Sequence, residues 1–482
     1  MRAHGLLFLL ASSSLVACDA REDDARETEV VTAMTTADEP AIRTRPTLSA
    51  GKYARMSSAP FSFFRGSLAL YVSDWRLSRF GIAHSRFGGD GPLVPSMGDP
   101  HFENFGTLQA SDGSLALEPN DFDGADVAPY LWDVRRLATS FALVARLGNA
   151  ESETARAEAR AAARAIARSV AEGYVDGIAR RERGETLPRV ESGEGNPILE
   201  DLFRRSRRDA AGRTELESFA VLEGGVHRFR RGVLDPADPS QALLELPAFA
   251  RSALPAALEA YRPSLVVPYA PAYFRVLDAV REVGSGVSSF ARLRILVLVD
   301  GPTAAPEDDV ILELKELADS NLGPFAPPGV FYGSVQERIR RTTITAWARP
   351  DADPRWGVSS YFGFPAQVRT EADGQKTLRV SRVEGAQGTP SSLQGLGRIL
   401  GRILARVHGA SLADARRIGD AFAADPEAFA DEQAEVADAY AAVLEADAAR
   451  FARARTRLGA LLGLPPESGR SPDLLDLLSE SP

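Results

Sequence analysis

Apolar residues in the first half of the chain recur mostly at helical spacing. From Phe63, the residues Leu68, Leu70, Tyr71 and Val72 predict a buried helix inside an aromatic-rich stretch from Tyr53 to Trp75. Leu115-Ala116-Leu117 is a short strand-like run. Trp132 to about Leu147 predicts another helix. Residues 151–184 predict a long one, with Ala155, Ala159, Ala162, Ala163, Ile166 and Val170 on one face. Residues 185–268 mix charged loops with short helices.

At Val280 the pattern turns strand-like. Val283 to Phe290 is a Gly-rich turn, Arg294 to Val299 a strand that ends at Asp300-Gly301, and Val310 to Glu316 the next strand. Alternation then predicts strands at Thr342 to Trp347, Val358 to Phe362 and Leu378 to Val380. Thr389-Pro390-Ser391-Ser392 caps a helix with Leu393, Leu396, Ile399, Leu400, Ile403, Leu404 and Val407 on one face, ending at His408-Gly409. A last helix covers about 427–461, and a frayed tail follows 464. The expected class is α+β, with a largely helical large lobe and a small antiparallel-sheet lobe.

Composition narrows this little. The chain has 482 residues, 44% hydrophobic and 25% charged, as an ordinary soluble globular protein does. Its formal charge of -10 argues against a nucleic-acid partner, because such proteins need a basic face for phosphates. The N-terminus says more. Arg2, the apolar run Leu6 to Leu10 and the small residues before Cys18 form a secretory signal over 1–17, too short to span a bilayer permanently. Cys18 is the only cysteine, so no intramolecular disulfide forms. Residues 18–45 are acidic and poor in apolar side chains, and are expected to be a disordered tether.

Leu15-Val16-Ala17-Cys18 resembles the bacterial lipobox. That resemblance implies lipidation at Cys18, a membrane partner through the lipid, and a place in the bacterial cell envelope, on its periplasmic face or the cell surface. Asp19 resembles the inner-membrane retention signal of some Gram-negative lipoproteins.

The chemistry concentrates in two loops. Asp99-Pro100-His101-Phe102-Glu103-Asn104 places an Asn five residues after an Asp. Asn120-Asp121-Phe122-Asp123-Gly124 follows after one short strand. Phosphoryl transfer uses such a set: one carboxylate, Asp99, for the attacking hydroxyl, and an Asn and a second Asp, Asn104 and Asp121, to hold Mg²⁺ against phosphates. Further along, Gly284 and Gly286 lie in a Gly-rich loop between two strands, and Lys315 lies on the third. That order suits a phosphate-binding hairpin, with backbone amides over the phosphates and Lys315 neutralising them. Glu316 and Glu337 are the candidate partners of Lys315. Arg65 can reach a phosphate or a carboxylate, or form a structural ion pair. Asp133 can orient the metal loop from behind. His227 has no partner at metal-ligand spacing.

Ser58 to Gly66, Asp99 to Gly106, Asn120 to Asp123 and Trp132 to Leu137 together resemble the bacterial domain-of-unknown-function family 2252, from about Tyr53 to Ala415. That family is grouped with protein-kinase-like folds. The first loop also resembles the His-Gly-Asp-x-His-x-x-x-Asn loop of aminoglycoside phosphotransferases. The resemblance implies Asp99 as catalytic base, Asn104 and Asp121 as metal ligands, Asp123 as a second metal ligand, Lys315 as phosphate contact, ATP as co-substrate and Mg or Mn as cofactor. Met97 stands where those enzymes have their first His, and Ser289 where a third loop Gly is expected. Chain order is reversed, since the Gly-rich loop and Lys315 follow the catalytic loop. The helix ending Val407-His408 resembles the one that ordinarily runs into that loop. The implied fold is a circularly permuted, two-lobed, protein-kinase-like one. Its parts are a large lobe over 46–268, a small nucleotide-binding-like lobe over 269–388 and completing helices over 389–482.

Three functions fit. The first is a kinase-like, ATP- and Mg-dependent phosphotransferase. The second is a metal-dependent hydrolase or phosphoesterase on Asp99, His101, Asp121 and Asp123, with water as co-substrate. The third is a non-catalytic, kinase-like ligand-binding protein. A Ser-His-Asp esterase fits less well, since no Gly-x-Ser-x-Gly elbow follows a strand.

Overall fold

Four helices lead the chain in the computed structural model, which describes residues 5–88, 91–147, 153–212, 214–235, 238–303, 305–317, 334–383, 388–462 and 464. They are α1 (Gly5–Thr44), α2 (Pro46–Met56), α3 (Pro60–Gly66) and α4 (Leu68–Arg76). A run of short strands follows: β1 (Leu93–Ser96), β2 (Phe105–Gln109), β3 (Leu115–Pro119) and β4 (Asp126–Pro129). Next come α5 (Tyr130–Arg146), α6 (Glu153–Glu182), α7 (Pro197–Gly212) and α8 (Thr214–Phe219). Strands β5 (Ala220–Glu223), β6 (Val226–Phe229), β7 (Gly232–Asp235) and β8 (Asp238–Glu245) precede α9 (Ala248–Tyr261). Then follow β9 (Val276–Val283), β10 (Arg294–Val299), β11 (Val310–Glu316), α10 (Val335–Ala346), β12 (Gly357–Tyr361), β13 (Phe364–Thr370) and β14 (Lys376–Thr377). The chain closes with α11 (Pro390–His408), α12 (Leu412–Phe422) and α13 (Pro426–Leu461).

The class is α+β with antiparallel sheets. Helices α5, α6, α11 and α13 pack around one large apolar core. Every residue of α5 from Tyr130 to Val144 is buried, so this helix is the body's axis. Helices α6 and α11 approach closely because Gly401 has no side chain: a Cβ there would meet the Val170 carbonyl oxygen at 2.1 Å.

The large sheet has seven strands in the order β12-β13-β11-β10-β9-β8-β7. Alternation gives it two faces. Ile295, Val297, Val299, Leu312 and Leu314 pack against α9 through Leu254, Leu258 and Tyr261. On the other face Val280, Leu296, Leu298 and Ile311 meet Phe229 of β6. That face becomes charged towards the end where Arg294 pairs in register with Lys315, and Glu313 with Arg369. Helix α10 contacts β12 and β13, and its Ile339 belongs to the core of the helical body.

Several expectations need correction. The acidic stretch 18–45 is not a disordered tether. Helix α1 covers it to Thr44, Val30 and Met34 are buried, and Arg26 is buried between Asp74 and Asp447. The side chains of the signal region, Cys18 included, lie outside the described ones. The helix expected from Phe63 breaks at Ser67 into α3 and α4. Thr342 to Ala346 is helical in α10, and no strand forms at Leu378 to Val380: β14 ends just before it and Val380 opens a 3-10 turn. Residues 232–245, assigned to the large lobe, supply two strands of the seven-stranded sheet. β14, assigned to the small lobe, pairs instead with β2. Among the described residues no helix is long and apolar enough to cross a membrane.

Candidate functional site

The first loop hangs from β1. Ser96 pairs with Asp126, which sets the loop beside the one that carries Asp121 and Asp123. The two loops touch at Gly98. Its φ is +78°, and a Cβ there would lie 1.8 Å from the Gly124 carbonyl oxygen, so only glycine fits. Asp133, at the start of α5, braces the loop from behind. Its carboxylate accepts the Met97 N–H at 2.7 Å, the Gly98 N–H at 3.1 Å and the Ser96 hydroxyl at 2.8 Å. His408 Nε2 approaches Asp133 Oδ2 at 3.0 Å, and its Nδ1 lies 2.8 Å from the Tyr174 hydroxyl. A carboxylate only accepts, so Nε2 carries the proton.

Asp99 lies at the mouth of this loop. Its Oδ1 accepts from Arg136 Nε at 2.8 Å. Arg136 is fully buried, with its guanidinium carbon 3.7 Å from the centre of the Phe64 ring. Burial pushes the Asp99 carboxyl above its ordinary range, and Arg136 offsets this only in part. Asn104 donates its amide to the Asp99 carbonyl at 2.8 Å. The Asn amide oxygen is the atom such a residue offers a cation. The hairpin β2–β3 then carries the chain to Asp121.

Lys315 reaches the same place from β11. Its Nζ lies 2.6 Å from Asp123 Oδ2 and 3.7 Å from Asp121 Oδ1. Arg292 adds a second cation to Asp123 Oδ2 at 2.9 Å. Burial pushes the Asp123 carboxyl up, but Lys315, Arg292 and Arg294 outweigh it and hold the group down at about 2. Asp123 Oδ1 is buried without a hydrogen-bond partner. Neither glutamate expected beside Lys315 pairs with it. Glu316 binds Arg45 at 2.5 Å, and Glu337 binds Arg341 at 2.7 Å.

One cavity of 160 Å³ connects these groups. Asp99, His101, Asn104, Asp121, Asp123, Lys315, Arg65 and Gly286 all line it, and Ser285 to Ser289 cover one side. Gly284 does not line it. Its carbonyl and that of Gly286 accept from Arg55 Nη1 at 2.5 and 3.1 Å, so α2 ties the Gly-rich loop down. Arg65 forms an ion pair with Glu103 at 2.7 Å. His101 is buried and accepts the Glu103 N–H at its Nδ1, at 3.2 Å. Burial, with Arg65, Arg136 and Arg379 nearby, drives its pKa far down and keeps the ring neutral. His227 lies elsewhere, 2.8 Å from Asp309.

Reading the residues singly missed Arg136, Arg292, Arg379 and Glu103. Arg136 lies within the stretch Trp132 to Leu137, but nothing in its spacing marks Asp99 as its partner. Arg292 stands two residues before the Arg294 strand and reads as an ordinary turn residue. Among the described residues no group of three or more His, Cys, Asp or Glu side chains is arranged to hold a metal ion.

No curated protein and no solved structure matches the chain. One family does, over residues 43–454, described as "Uncharacterized protein conserved in bacteria (DUF2252)". The match covers most of the sequence and contains both loops, the Gly-rich turn, Lys315 and His408, so the chain belongs to the DUF2252 family.

Proposed function

We propose that this protein is a kinase-like phosphotransferase with a circularly permuted chain. The observation that carries the reading is the meeting of Lys315 with Asp121 and Asp123, in one cavity with Asp99 and under a Gly-rich loop. Phosphoryl transfer is mostly positioning and charge stabilisation, and these are the parts it uses.

His408 supports the permutation. It ends α11, and it sits behind the catalytic loop through Asp133. A chain in ordinary kinase order would run from that point straight into Gly98-Asp99. Here the helix end and the loop are adjacent in space and far apart in sequence. Helix α10, between β11 and β12, occupies the position in chain order of the kinase helix that supplies a glutamate to the lysine. In its place Arg338 donates to the carbonyl of Ala125, beside the Asp123 loop.

The donor set suits Mg²⁺ brought with phosphates. Mg²⁺ keeps waters and takes one or two carboxylates plus substrate oxygens, so a full protein cage is not required. Asp121, Asp123 with its unpartnered Oδ1, and the Asn104 amide would hold it. Bound there, it would supply neutralisation of charge on the phosphates. Asp99 orients the acceptor hydroxyl and takes its proton. Arg136 fixes the carboxylate and Lys315 turns from Asp123 to the donor phosphates. The hydrolase reading is weaker, because His101 Nδ1 is engaged with the backbone.

Lipidation at Cys18 remains part of the proposal. With α1 packed on the body, such an anchor would hold the folded body at the bilayer rather than on a loose tether. The test of the catalytic reading is slow phosphate release from Mg-ATP without an acceptor. Release that disappears in Asp99→Asn and Asp121→Asn supports it. Release that is unchanged in both variants removes it.

A further inference from the structure

The roof of the cavity is charged where a nucleobase site would be apolar. Ligand sites that enclose a flat heterocycle are lined mainly by hydrophobic and aromatic side chains. Here the sheet offers Arg294, Lys315 and Arg369, and the described lining contains only Leu68 and Val287 as large apolar groups. The roof is also fixed. Glu313 is fully buried and forms ion pairs with Arg294 Nη1 at 2.5 Å and, on its other oxygen, with Arg369 Nε. Arg294 further donates to Ser285 at 3.2 Å and Ser289 at 3.1 Å in the Gly-rich loop. Moving either arginine to open an apolar slot would strip one oxygen of the buried Glu313 carboxylate of its charged partner, which is costly. Burial pushes Glu282, beneath Arg294, above its ordinary range.

Size points the same way. The cavity of 160 Å³ is well below the roughly 300–1,000 Å³ of sites that enclose a whole drug-sized ligand. A cavity of this volume suits a short phosphate chain better than a whole nucleotide, whose nucleoside would have to lie outside. Arg65, Arg292 and Arg379 add three more cations to the lining.

Resting on the phosphoryl-transfer reading, we infer that the site recognises its donor through condensed phosphate alone. The base of a nucleotide contributes nothing, so the donor class is an oligophosphate, free or carried on any nucleoside. The acceptor's hydroxyl oxygen bonds to the terminal phosphorus, and the bond from that phosphorus to its bridging oxygen breaks. The shortened phosphate chain leaves with the electron pair, and the hydroxyl proton passes to Asp99. Such a donor does not have to be ATP, which suits a protein on the outer side of a membrane.

The experiment is titration calorimetry of the full-length protein in detergent with Mg²⁺, using tripolyphosphate, ATP, GTP and adenosine as separate probes. The expected result is that tripolyphosphate, ATP and GTP bind with dissociation constants within fivefold of one another, while adenosine neither binds nor displaces ATP. ATP binding more than fivefold tighter than GTP or tripolyphosphate, or displacement by adenosine, overturns the inference and leaves the kinase-like reading standing. Binding by none of the three phosphates removes both.

Discussion

His408 Nε2 stands 3.0 Å from Asp133 Oδ2, and Asp133 in turn holds the backbone N–H groups of Met97 and Gly98. The Asp99 loop is therefore braced by a histidine from the far end of the chain. On the proposed kinase-like reading, this brace would stand in for the His that aminoglycoside phosphotransferase loops carry where this chain has Met97. His408→Ala should lower kcat by about 10²-fold with little change in KM, since a loop misplaced by about 1 Å costs that much. Asp133→Asn should also destabilise the fold, by about 1–3 kcal/mol, because buried donors lose a charged acceptor. Chemical denaturation beside steady-state kinetics separates the two effects.

Arg136 is the charged side chain that bonds the Asp99 carboxylate among the described residues. It holds down a pKa that burial raises. Arg136→Met should raise the Asp99 pKa further. The base form would then need a higher pH, so the acid limb of the kcat/KM profile should move upward. A profile that stays in place would deny Asp99 the role of base.

Asp123 carries the clearest pH signature. Its carboxyl lies at about 2 in the folded protein against an ordinary 3.8. A depressed carboxylate contributes stability that is fully present above its unfolded value and is lost as pH falls through the folded one. Stability should therefore fall between roughly pH 4 and pH 2, and Lys315→Met should flatten that part of the curve. At neutral pH the same variant should lose about 3 kcal/mol, the usual cost of breaking a buried pair, read by denaturant unfolding.

Arg26 joins α1 to the body through Asp74 at 2.7 Å and Asp447 at 2.6 Å. Arg26→Ala leaves two carboxylates buried without it and should cost about 3–5 kcal/mol. A thermal melt indistinguishable from wild type would return α1 to the status of a tether.

These contacts show what the sequence could and could not tell. The two acidic loops stood out in the sequence because Asp, Asn and Asp recur there at the short spacing that phosphoryl-transfer chemistry would use, and the structure brings them to one cavity. Lys315 was legible because a Gly-rich turn and two strands lead to it. Helix α11 was legible because Thr389 caps it and its apolar face is regular; the cap is formed to the Ser392 N–H at 3.2 Å. The long-range pairings were not. Nothing near Lys315 marks Asp123 as its partner. The charges of α1 looked like those of a disordered segment, but Asp23 and Glu27 meet Arg450 and Arg457 on α13. Thr342, Thr343, Ile344 and Thr345 favour strands as β-branched residues. Helical register prevails there, because Ser334 caps α10 and Ile339, Thr343 and Ala346 bury one face.

The central claim is that Lys315 and Asp121 form one phosphate site across a permuted chain. Equilibrium binding of ATP to the full-length protein with and without Mg²⁺, and to Asp121→Asn and Lys315→Met, tests it most directly. The account predicts one binding site that requires Mg²⁺ and is lost in both variants. At a hundred times its dissociation constant the ligand should stabilise the protein by about 2.7 kcal/mol. Binding of equal strength in wild type and both variants, or no binding under any condition, would contradict it.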